Sequence, residues 1–93
     1  KTSSKKSNNQ IDEAALNDAA IYPNPTTGII NIDAPVNGMK LTVLDINGRT
    51  VEQIAGTLPA GTSTISLKEV ERGTYFFKLT NGEASKVFRI VVQ

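Results

Sequence analysis

From Ile29 onward, apolar residues fall at alternate positions in short runs separated by turn formers, and no long stretch sustains a period of 3.6. A chain written this way folds into strands with one buried and one wet face. Ile30 and Ile32 share a face in Ile29 to Asp33, as do Met39, Leu41 and Val43 in Met39 to Leu44, and Ile65 with Leu67 in Thr62 to Leu67. Thr74 to Thr80 sets Tyr75, Phe77 and Leu79 against Thr74, Phe76, Lys78 and Thr80, which places most of the aromatic mass in one central strand. Asn81-Gly82 fits a type I′ hairpin turn, after which Ala84 to Val92 returns antiparallel. That last run has Phe88, Ile90 and Val92 on one face and Val87, Arg89 and Val91 on the other, so it is apolar on both sides. Asp45-Ile46-Asn47-Gly48, Leu58-Pro59-Ala60-Gly61 and Glu71-Arg72-Gly73 are further breaks. The pattern predicts an all-β domain, an immunoglobulin-like antiparallel β-sandwich of about seven short strands, without the Cys and Trp hallmarks of true immunoglobulin domains.

With 93 residues there is room for one domain. Residues 1–19 read as a flexible linker from an upstream part of the protein and residues 20–93 as the folded unit. The first ten residues contain no hydrophobic side chain, and the alanine-rich stretch after them could form at most a turn or two of helix. The absence of an initiating Met and of a signal-peptide core leads us to expect a piece of a larger precursor. A net charge of +1 gives no long-range field for nucleic acid, and Lys1, Lys5 and Lys6 sit in a Ser/Asn-rich, solvated setting. No apolar run is long enough to span a bilayer, so direct membrane insertion is not expected.

The chain contains neither His nor Cys, which removes the commonest general base, the Ser-His and Cys-His nucleophile pairs, and the usual zinc and copper ligands. Ser85-Lys86 and the Ser66/Lys68 pair sit in no recognisable catalytic motif. Asp45-x-Asn47-Gly48 superficially resembles the start of a calcium loop, but Glu52 comes too soon to be its bidentate ligand. The residues therefore point to a non-enzymatic protein, with no catalytic residue, metal site or cofactor expected.

Ile21 to Ile32 reads IYPNPTTGIINI, a strand, a rigid turn and a second strand. Pro23 and Pro25 fix φ around Asn24, and Gly28 can supply an unusual backbone angle before Ile29. Tyr22, Pro23, Pro25 and Gly28 are read as shaping this corner, with Tyr22 over the sandwich edge. Asn24, Thr26 and Thr27 are freer to touch a partner. Gly48 and Gly73 are assigned to backbone geometry and Tyr75 to the core, its hydroxyl near the rim. Arg49 is a candidate surface contact, with a salt bridge to Glu52 or Asp45 as the duller explanation. Lys86, Val87, Arg89 and Val91 complete the candidate recognition set, because the second apolar face of the last strand must either be covered by the N-terminal segment or dock a partner.

YPNPTTG at Tyr22 to Gly28, LTVLDINGR at Leu41 to Arg49, and RGTYFFKL at Arg72 to Leu79 leading into KVFRIVV at Lys86 to Val92 together resemble the C-terminal sorting domain of the type IX secretion system of Bacteroidota. Gln93 departs from the basic residue that ends many members. The resemblance implies a non-enzymatic export address fused to cargo such as a protease or adhesin, recognised in the periplasm and passed through the outer-membrane translocon. A sortase-like complex then removes the domain at the cell surface, with cleavage at or upstream of Lys1 to Ala20. A monomer is expected, with strand exchange between copies as the route to a dimer. The competing reading is an immunoglobulin-like adhesion or carbohydrate-binding module, which calls for exposed aromatic platforms in a chain with two Tyr, three Phe and no Trp.

Overall fold

A computed structural model describes residues 16–93. The strands are β1 (Ala20–Tyr22), β2 (Ile29–Ala34), β3 (Met39–Asp45), β4 (Gly56–Leu58), β5 (Gly61–Ser66), β6 (Gly73–Asn81) and β7 (Ala84–Val92). They form a three-stranded sheet, β1-β2-β5, and a four-stranded sheet, β4-β3-β6-β7, with every strand pair antiparallel. The all-β sandwich read from the alternation is the fold observed. Its fourth strand pairs with β3, whereas in constant-type immunoglobulin domains the fourth strand joins the sheet of the first, second and fifth.

The core lies between the sheets and is built from the alternate positions the sequence marks. Ile30 and Ile32 face Met39, Leu41, Val43, Phe77, Leu79 and Ile90, all at most 1% exposed. Tyr75 sits near the start of β6, and its hydroxyl donates to the Glu71 carbonyl at 2.6 Å, the bond of a tyrosine corner. Leu16 and Ala19 are also buried in this core, so the packed unit reaches back into the stretch read as linker, while residues 1–15 lie outside the described residues.

The β6–β7 turn differs from the expected Asn81-Gly82. Asn81 stays paired with Ala84, which leaves Gly82-Glu83 as the two-residue loop. Only Gly82 has a positive φ (65°), and a glycine at the first central position is the type II′ requirement, not that of type I′. At the end of β3, the Asp45 carboxylate accepts the N–H groups of Asn47 and Arg49, each at 2.9 Å, and Gly48 closes the turn at φ 85°. The Asp-x-Asn-Gly stretch is thus a backbone turn, its carboxylate oxygen used by the chain itself.

Candidate recognition surface

The proline corner is joined to the outer edge of β7. The Tyr22-Pro23 and Asn24-Pro25 peptide bonds are both cis. Asn24 donates through Nδ2 to the Arg89 carbonyl (2.9 Å) and accepts the Val91 N–H at Oδ1 (3.0 Å), so its side-chain amide stands in for the peptide of a neighbouring strand. Two residues on, the Thr26 N–H donates to the Val91 carbonyl (2.9 Å) and the Gln93 N–H to the Thr26 carbonyl (2.8 Å), a parallel bridge to Val92. Thr26 is 1% exposed, and its hydroxyl donates to the Ile29 carbonyl (2.6 Å) and accepts the Gly28 N–H (3.2 Å). The expectation that Asn24 and Thr26 are free for a partner is therefore corrected: one is spent on β7 and the other is buried. Thr27 is exposed. Pairing partners contributed by a side chain leave no sequence periodicity, so alternation could not have revealed the clamp.

Tyr22 lies on the outer face of the three-stranded sheet, 42% exposed, instead of packing over the sandwich edge. Its hydroxyl donates to Asp33 Oδ1 (3.1 Å), which also accepts from the Thr62 hydroxyl (2.6 Å), while Thr64 donates to Asn31 Oδ1 (2.8 Å). The bond to Asp33, then partial desolvation and the Asp33 charge, hold the Tyr22 phenol above its ordinary pKa. The Tyr75 phenol is also raised, first by burial and then by the charges of Glu71 and Asp45.

The remaining candidates divide by face. Val87, Arg89 and Val91 point outward from β7, and Val87 is 57% exposed. Lys86 belongs to the opposite parity, with its ammonium 5.0 Å from the centroid of the Phe88 ring, so it does not join that set. Arg49 is exposed at the end of the β3 turn, where its N–H donates to the Asp45 carboxylate.

Register shows what surrounds the outward β7 residues. Across β3, β6 and β7 the outward rows are Lys40-Thr80-Ser85, Thr42-Lys78-Val87 and Leu44-Phe76-Arg89, followed by the Thr74-Val91 pair. Lys40, Lys78, Leu44 and Phe76 were not singled out by reading single strands; their grouping appears only once the strands are placed side by side.

A family model, the secretion system C-terminal sorting domain, matches residues 20–93, from the first residue of β1 through all seven strands. The chain belongs to this family. No curated protein matches it. In this sorting domain the YPNPTTG stretch is the clamp on β7, GTYFF begins the central strand β6, and the last apolar run is β7 itself. As a type IX sorting signal the domain serves export to the cell surface or the extracellular space, in interaction with that secretion machinery.

Proposed function

We propose that this domain is a non-enzymatic address that acts as a folded surface. It carries a fused cargo, such as a protease or adhesin, through the periplasm to the type IX translocon and across the outer membrane. A sortase-like surface complex then cleaves it off at or upstream of residues 1–20. The observation that carries this reading is the family match over the whole sandwich; the bonding of the YPNP corner to the final strand supports recognition of the fold, since two distant motifs make one structure. Val87, Arg89 and Val91 are the part of that surface least committed to the core, and Thr27 and Arg49 are exposed elsewhere.

The test is a fusion of residues 1–93 behind an N-terminal signal peptide and an enzymatic reporter, expressed in a host with type IX secretion and in the same host lacking the translocon. Delivery to the surface or medium only in the competent host, with the domain lost from the reporter, is the expected result. Equal periplasmic retention in both hosts refutes it.

A further inference from the structure

Ten cations and nine anions nearly balance over the chain, yet the outward residues of β3, β6 and β7 carry cations alone, the nearest carboxylate at that edge being Glu52, which borders the groove beside Lys40 and Thr42. Lys40, Lys78 and Arg89 occupy successive rows on successive strands, a diagonal across β3, β6 and β7. Diagonal neighbours of this kind stand roughly 7–8 Å apart. Leu44, Phe76 and Val91, each partly buried, flank the diagonal on one side, and the exposed Val87 lies on the other. No Asp or Glu occupies an outward position on these strands. Charges that served only to keep a sheet face soluble could be of either sign, and mixed signs would relieve their mutual repulsion. The Asn24 clamp on the Arg89 carbonyl and the Val91 N–H holds the outermost part of this face in place.

We propose that this face docks on an acidic protein surface of the export machinery, the carboxylates meeting the Lys40-Lys78-Arg89 diagonal while apolar groups cover Phe76, Val87 and Val91. The proposal rests on the sorting reading above and gives its partner a chemistry. A protein partner fits better than a lipid surface because the apolar groups lie along paired strands, with Val87 as the one exposed large hydrophobic among them and no exposed aromatic beside it, and a net charge of +1 offers little general attraction to anionic bilayers.

The reporter fusion tests this through graded charge. K40E/K78E is expected to cut export about tenfold or more and K40Q/K78Q to cut it less, with K40R/K78R within about twofold of the parent. K68E/R72E, the same charge change on loop positions, should also stay within about twofold. Melting temperatures of the purified variants separate misfolding from lost docking, and the neutral pair remains informative should the reversed pair fail to fold. Export of K40Q/K78Q at the parental level, or equal loss in K40Q/K78Q and K40E/K78E, overturns the acidic partner while leaving the sorting reading intact. Failure of the unsubstituted fusion to be exported refutes the sorting reading and this proposal with it. Binding of the purified domain to vesicles of mixed neutral and anionic phospholipid, lost in K40E/K78E, would assign the face to lipid and overturn the protein partner.

Discussion

The two outer faces of the sandwich follow the same alternation and have opposite fates. On the three-stranded sheet, Tyr22, Thr62 and Asp33 bond one another, as do Thr64 and Asn31, so much of the polar capacity of that surface is met within it. On the four-stranded sheet, the outward residues of β3, β6 and β7 place apolar groups beside cations and supply no anion. A period of two shows only that a strand has a second face; cross-strand chemistry decides whether that face is complete. The complete one is scaffold, and the incomplete one is where a partner has something to contribute.

The largest effect tests whether the faces belong to one cooperative unit. Phe77 lies in the core beneath both, 1% exposed, and Phe77→Ala is expected to cost about 3–5 kcal/mol, a large part of the stability of a small domain. Ile30→Ala from the opposite sheet should cost about 2–5 kcal/mol. Denaturant unfolding followed by hydrogen exchange should show protection lost together in β2 and β6. Protection surviving in β2 alone would mean that the faces are independent and their comparison a matter of two separate sheets.

Next in size is the clamp that joins the two sheets at the edge. Asn24→Ala removes two hydrogen bonds to β7 and should cost about 1–2 kcal/mol, at about 0.5–1.5 kcal/mol net each with solvent replacing part of the loss. The Val91 amide should exchange faster in this variant while the amides of β5 keep their protection. Unchanged exchange at Val91 would show that the backbone bridge through Thr26 holds the edge without Asn24.

These residues also show what alternation encodes. Phe77, Leu79 and Ile90 were legible as core because burial selects one parity along a strand, and β7 was legible as two-faced for the same reason. Asn24 and the backbone of Thr26 were misread as free because their partners on the last strand and just beyond it are 65 or more residues away, a distance that local pattern does not span. The Gly82-Glu83 loop was missed by one residue because Asn-Gly also satisfies a neighbouring turn type, and pairing of Asn81 with Ala84 decided between them. The cationic diagonal needed register, which the hydrophobic pattern constrains without stating.

The smallest expected effect probes the completed face through pH. The chain has two tyrosines, so phenolate absorbance reports Tyr22 and Tyr75 alone. Both phenols are raised above 10.0 in the folded domain, Tyr22 chiefly through its bond to Asp33 and Tyr75 chiefly through burial. A raised phenol means that the native state keeps a proton the unfolded chain has released, so its contribution is full below the unfolded value near 10.0 and is lost as pH rises through the folded one. Stability should therefore decline as pH rises above about 10. Asp33→Asn removes the charge facing Tyr22 and should bring that phenol back toward its ordinary value while Tyr75 stays raised. The alkaline decline should then become shallower, leaving the part due to Tyr75. If Asp33→Asn moves neither titration, the Tyr22–Asp33 bond does not persist in solution, and the three-stranded face is less complete than its geometry shows.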